Sequence, residues 1–191
     1  MTDDIETRAA GVELLARLLN SHPETAFDYL EFRGLLGGEA AAAAALRASE
    51  AELAHLGACL TALEEAHGLD DPAQEAQADA RFHLAIYEAA HNAVMTHVMG
   101  GLLDMLQAGV FYDRADLYLR RGVRDSFLRQ HQALYAAIAA RNPEAARLTA
   151  KAHIAATAEA LREAQMADHR RAVSERRAEG AGLTMARERA K

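Results

Sequence analysis

Cysteine occurs once in the 191 residues (Cys59), tryptophan is missing, and aromatic residues make up 5%. A single cysteine excludes an intramolecular disulfide and any multi-cysteine zinc site. With 3 Pro and 12 Gly, there is too little turn chemistry to punctuate the many short strands of a sandwich or barrel. Excess basic charge is also lacking: 21 Lys and Arg stand against 28 Asp and Glu, for a formal charge of −7 and a pI near 5.7. A protein that grips DNA through its own surface carries a basic footprint, and this balance does not supply one. Long apolar runs are missing too. The blandest stretch, Ala40 to Leu46, lies between Glu39 and Arg47, far short of the ~20 apolar residues a membrane span needs. The N-terminus, Met1-Thr2-Asp3-Asp4-Ile5-Glu6, is acidic where a signal peptide is basic and then apolar. The expectation is a cytoplasmic protein without membrane association. Its 51% hydrophobic and 26% charged residues are the proportions of a globular domain.

Helix signals recur along almost the whole chain. An amphipathic segment over about Ile5 to Leu19 carries Val12, Leu15, Leu18 and Leu19 at helical spacing and stops near Asn20-Ser21-His22-Pro23. A second runs from about Ala26 to Arg47, and its Gly34, Gly37 and Gly38 predict close packing or a kink. Ser49 and Glu52 fit a capping box opening a third helix, which closes at His67-Gly68. Asp70-Asp71-Pro72 restarts a helix lasting to about Ala90, His91-Asn92 breaks it, and another segment runs to about Leu119. Arg121-Gly122 marks a corner before a helix to Arg141. Asn142 then caps, and Pro143 begins, a last helix predicted to end near Asp168. From His169 to Lys191, Arg and Glu alternate with Ala, with no sustained apolar stripe. A charged, disordered tail is expected there, with a nucleic-acid or partner arm as the alternative. No repeat or strand is evident. The expected fold is an all-α antiparallel bundle of six or seven helices spanning residues 5–168.

Most of the nine histidines read as structural. His22 and His67 fall at helix ends, His169 begins the tail, and His55 and His97 have no partner at a telling spacing. Three others fall on apolar stripes. Asp79 and His83 are i and i+4 and share a face with Ile86 and Ala90. His131 sits within the stripe Phe127, Leu134 and Ile138; His153 shares a face with Ala146, Thr149, Ala150 and Thr157. A buried carboxylate without a partner is expensive, so Asp79 demands one. Two readings stay open at this point. Asp79 forms a buried hydrogen bond to one histidine while the others are ordinary core groups, or a divalent cation binds the four together. Three imidazoles and a carboxylate suit Zn2+, Ni2+, Mn2+ or Co2+, and an octahedral ion would keep two positions open for water or a chelating acid. Arg33 precedes the glycine stretch and has the shape to pair with a carboxylate; a salt bridge to Glu31 or another surface acid is its alternative. No Gly-x-Ser-x-Gly elbow, Walker loop, His-Glu-x-x-His pair or dinucleotide glycine fingerprint is present.

Several motifs occur together in order: Asp28-x-x-Glu31-x-Arg33, Glu39-Ala40-Ala41, Asp79-x-x-Phe82-His83-x-Ala85-Ile86, Ala90-His91-Asn92, Arg129-Gln130-His131 and Ala152-His153-Ile154. Over roughly Val12 to Arg162 the chain resembles the C-terminal effector-binding domain, called FCD, of the FadR-like branch of GntR-family transcription regulators. The stretch Val110 to Tyr118 and the block Asp79 to Asn92 are similar to glycolate-responsive members, and Gln77 to Asn92 to lactate-responsive ones. His22-Pro23-Glu24 and Asp28 to Arg33 are similar to pyruvate-responsive members. The resemblance implies that Asp79, His83, His131 and His153 ligate one divalent metal, zinc foremost. It makes Arg33 the contact for the carboxylate of a small 2-hydroxy or 2-oxo acid effector, and implies a homodimer. It implies sensing rather than catalysis; a metal-dependent enzyme acting on a small carboxylate is the alternative, with His91 as the one candidate base. Family members carry a winged helix-turn-helix before this domain. Here the first predicted helix starts almost at Met1, so DNA binding is expected only through a domain this chain does not show.

Overall fold

The computed structural model describes residues 24–69, 71–107, 117–118 and 121–188. The amphipathic segment predicted over Ile5 to Leu19 lies outside them. Six helices follow one another: α1 (Thr25–Arg47), α2 (Glu50–Gly68), α3 (Pro72–Ala89), α4 (Ala93–Gln107), α5 (Arg121–Ala139) and α6 (Pro143–Glu188). Leu117 and Tyr118 are helical as well, and there is no strand among the described residues. The fold is all-α, as the residue pattern predicts.

The boundaries follow the local chemistry. At α2 the capping box is complete: the Glu52 amide donates to Ser49 Oγ at 3.3 Å, and the Ser49 amide donates to the Glu52 carboxylate at 2.7 Å. Asp71 Oδ1 accepts from the amides of Ala73 and Gln74 ahead of α3, with Pro72 in the first turn. The starts of α4 and α6 share one device. His91 and Arg141 adopt positive φ (53° and 55°), and the Asn after each caps the next helix, Asn92 Oδ1 to the Met95 amide and Asn142 Oδ1 to the Ala145 amide, both 3.1 Å. Arg121 and Gly122, expected as a corner, form the first turn of α5.

One difference is large. The last helix does not stop near Asp168 but runs 46 residues to Glu188, through the segment expected to be disordered. Its Ala, Arg and Glu are strong helix formers even without an apolar stripe. The predicted segment to Leu119 is described as α4 only to Gln107.

α1 packs most extensively on α6, and α3 on α2. Gly34 meets Ile154, Gly38 meets Lys151, and Arg147 bonds Glu39, so α1 and α6 run antiparallel. The α1 glycines therefore serve close packing within a continuous helix. Ala40, Ala41, Ala44 and Ala45 are fully buried beyond them. The apolar faces of α1, α3, α5 and α6 close one core around Leu30, Phe82, Leu134 and Ile138.

Candidate metal centre

α3 carries a row of polar side chains into this core. Glu75, Asp79 and His83 recur every fourth residue and all three are buried. The carboxylate of Glu75 is matched by Arg124 of α5, whose Nε donates to Oε2 at 2.6 Å, and by His67 Nδ1 at 2.8 Å. Arg124 also donates to the His67 carbonyl at 2.9 Å, so one guanidinium ties the end of α2 to the start of α3. His67, expected to be merely a helix-end residue, belongs to this latch.

One turn further along, Asp79 and His83 meet His131 of α5 and His153 of α6. All four are buried, and one ligand atom from each lies within 4.8 Å of every other. His131 Nε2 is 2.9 Å and His83 Nε2 3.7 Å from Asp79 Oδ1. His83 Nε2 is 3.2 Å from His131 Nε2 and 3.3 Å from His153 Nε2. Ligand atoms ~2.1 Å from a common zinc sit about 3.0 Å apart at right angles and about 3.4 Å apart at the tetrahedral angle. The imidazole spacings fall between these values, and a mixed imidazole and carboxylate set is the donor chemistry divalent transition ions take. The four residues thus fit a metal ion and could hold one. Their convergence goes beyond the single Asp–His hydrogen bond that was the alternative.

Neighbouring groups fix these ligands. Gln130 Nε2 donates to Ser126 Oγ at 3.1 Å, which turns its Oε1 towards His153, where it accepts from Nδ1–H at 2.8 Å. That bond places the proton of neutral His153 on Nδ1 and leaves Nε2 as a lone pair facing the centre. The Tyr118 hydroxyl donates to Asp79 Oδ1 at 2.9 Å. Phe82 packs edge-on to His131 and Phe127 edge-on to His153, excluding water. Burial first, then the charges of Arg33, His153 and His131, holds His83 well below the ordinary histidine range. It is therefore neutral, the form a metal binds.

Arg33 is 1% exposed, so the surface salt bridge to Glu31 is overturned. Its charge acts on His83 and on Tyr87, a phenol that burial pushes up to about 12. Beside His83 and Tyr87 lies a small cavity lined also by Gly37, Ile86, Leu134, Ala150 and Ile154. The remaining described histidines lie elsewhere, and His22 is outside the described residues. His91 is exposed and bonds Glu52 at 2.9 Å. His55 lies beside Cys59, and His97 and His169 are exposed. Tyr118, Gln130, Tyr87 and the Glu75–Arg124 pair are the parts that sequence reasoning gave no role. Glu75 alone had a signal, four residues before Asp79 on the same face.

A helical bundle with one aspartate and three histidines converging in its interior, and an arginine beside them, defines the class: an all-α domain built around an internal candidate metal centre. The family model described as the FCD domain matches residues 28–156. The chain belongs to this family, the FCD domain of GntR-type regulators. It is 38% identical over 143 residues to an Escherichia coli K12 protein named for regulation of the L-lactate dehydrogenase operon, covering 75% of this chain and 54% of that protein. Against the Glc operon transcriptional activator of the same organism it is 31% identical over 158 residues, covering 81% and 62%. The chain thus spans about half to three-fifths of the curated relatives it matches. A solved GntR structure from Streptococcus agalactiae shares the fold, with TM-score 0.60 and 22% identity over 69% of this chain and 57% of that one. Among the described residues no helix is long and apolar enough to cross a membrane.

Proposed function

We propose that this domain is the sensing part of a bacterial transcription regulator, binding a small 2-hydroxy or 2-oxo carboxylate of the glycolate or lactate class. Asp79, His83, His131 and His153 hold one divalent ion, zinc foremost and nickel, manganese or cobalt otherwise, and Arg33 takes the carboxylate of the acid. The observation that carries this is the convergence of three buried imidazoles and a carboxylate within 4.8 Å, with a buried guanidinium acting on the same His83. Identity to relatives named for lactate and Glc operons supports the class of acid. A divalent ion there supplies concentrated positive charge in a dry site, which draws a small anion.

The chain's own residues do the rest. Arg33 comes from α1 and the ion's ligands from α3, α5 and α6, so an acid reaching both ties α1 to the other three helices. Such a ligand shifts the balance between two packings of the bundle, in proportion to its preference for one of them. In a homodimer with winged-helix domains attached, that shift repositions the DNA-binding halves; this domain by itself does not grip DNA. In this reading the site is a sensor in the cytoplasm, supported by relatives named as regulators and by His91, the one candidate base, lying at the surface beside Glu52.

Substitution tests the assignment. His131→Ala and His153→Ala should each lower bound metal and weaken acid binding together, whereas Arg33→Ala should keep the metal and lose the acid. Full metal content in both histidine variants would contradict the ligand set. Unchanged acid affinity in Arg33→Ala would remove Arg33 from the site, and steady consumption of an acid would replace sensing with catalysis.

A further inference from the structure

The polar row on α3 has a counterpart on α5. Arg124 and His131 are both buried and stand seven residues apart, about two turns of helix, so they share one face. The two rows meet at two rungs: Arg124 Nε on Glu75 Oε2 at 2.6 Å, and His131 Nε2 on Asp79 Oδ1 at 2.9 Å. Leu128, between Arg124 and His131 in sequence, packs on Leu63, Ala66 and Ala78, a small apolar cluster apart from the main core. Apolar contact is non-directional, so this cluster holds the helices together without fixing how far one stands along the other. Directed hydrogen bonds do fix it. Arg124 Nη2 also donates to the His67 carbonyl at 2.9 Å, and His67 meets Glu75 through Nδ1 at 2.8 Å and Asp125 through Nε2 at 3.2 Å. The end of α2 and the starts of α3 and α5 are thus tied at one place, one turn of α3 from Asp79.

Stability does not account for this pair. Glu75 and Arg124 are 1% and 4% exposed, and a buried ion pair costs so much desolvation that apolar residues of similar volume serve stability equally well; its best-attested use is to fix register. What stands in register with it here is the contact of Asp79 with His131. We propose that the Glu75–Arg124 pair is the positioning element of the metal centre. It sets α3 against α5 so that Asp79 and His131 present their ligand atoms together, and thereby sets the affinity and the arrangement with which an ion is held. The proposal rests on the reading of Asp79, His83, His131 and His153 as ligands of one ion. Glu75 and Arg124 act through the backbones of α3 and α5, one turn and two turns from the ligands they place.

The test compares wild type with the double replacement Glu75→Leu and Arg124→Met, which fills the space without charge. The metal-free urea midpoint reads stability, competition with a chelator reads zinc affinity, and the visible spectrum of cobalt-loaded protein reads the arrangement of ligands around the ion. The midpoint should stay close to that of wild type. Zinc affinity should fall at least about tenfold, the lower end of the loss that follows removal of groups orienting metal ligands, and the cobalt bands should shift or change in intensity. Arg124→Lys keeps the charge but replaces the fork with a single head; it should move affinity and bands in the same direction by a smaller amount, and it decides the question if the double variant does not fold. Wild-type affinity and spectrum in the folded variant would overturn the positioning role, as would a loss of affinity with an unchanged spectrum, and either would leave the ligand assignment standing. Wild-type protein that takes up neither zinc nor cobalt would overturn the ligand assignment itself.

Discussion

Replacing Gln130 with alanine should weaken metal binding without touching a ligand. The amide stands between Ser126 Oγ, to which it donates at 3.1 Å, and His153 Nδ1, from which it accepts at 2.8 Å. Removing it frees the imidazole to rotate or to exchange its proton onto Nε2, the atom that faces His83. Loss of such an orienting partner lowers metal affinity about 10- to 100-fold, or about 1.4–2.8 kcal/mol. The lost hydrogen bond costs a further ~1 kcal/mol in metal-free and metal-loaded protein alike. For a domain of this size each kcal/mol is worth about 2–4 °C, so the rise in melting temperature on adding saturating zinc should shrink by roughly 3–10 °C. Competition with a zinc chelator reads the affinity directly, and the metal-free melt separates general destabilisation. Gln130→Glu, which keeps an acceptor at that place, should restore most of the affinity. A Gln130→Ala protein destabilised in the metal-free melt but binding zinc as tightly as wild type would refute the reasoning.

Other expectations follow from the packing. Arg124→Ala deprives the buried Glu75 carboxylate of its guanidinium and should cost about 3–5 kcal/mol in urea unfolding, much of it recovered by the apolar double replacement Glu75→Leu with Arg124→Met; a loss below ~1 kcal/mol would mean the pair behaves as a surface bridge. Asn142→Ala removes the cap of α6 and should cost about 1 kcal/mol in the same measurement, and an unchanged midpoint would deny the cap its role. The Glu52 carboxylate is pulled down to about 2 by the Ser49 amide first, then by His91 and the Ser49 hydroxyl. Since its folded pKa is depressed, the stabilisation it gives is present above the ordinary carboxylate range and is lost as pH falls through about 2. An NMR titration should show that low midpoint, and His91→Gly, which suits the positive φ there, should raise it; a midpoint unmoved by the change would exclude His91.

The readable parts of this fold were those written locally. Capping residues at Ser49, Asp71 and Asn142 mark helix starts because a side-chain oxygen must satisfy amides a few residues on. Asp79 and His83 were legible as one edge of a site because four residues bring them to the same helix face, and the stripes around His131 and His153 placed those rings inward. That the three helices bring these groups to one point is tertiary information, and only the family resemblance supplied it in advance. Tyr118 and Gln130 reach their partners on other helices, and nothing in their own spacing announces those contacts. For Arg33 the sequence alone favoured a surface salt bridge, since its burial is set by how the helices pack and no local spacing announces that. The length of α6 was missed because the segment after Asp168 lacks an apolar stripe, whereas the chain there follows its intrinsic helix propensity.

The central claim, that a buried ion and Arg33 together bind a small 2-hydroxy acid, is tested most directly by melting the zinc-loaded protein with and without millimolar glycolate, L-lactate, pyruvate and an inert monocarboxylate. At about 100 times its dissociation constant a ligand adds about 2.7 kcal/mol, several degrees for a domain of this size. The account predicts such a rise with a 2-hydroxy or 2-oxo acid, none with the inert acid, and its loss when a chelator removes the metal. An equal rise in chelated protein, or no rise with any of the acids in protein shown to carry one zinc, would contradict it.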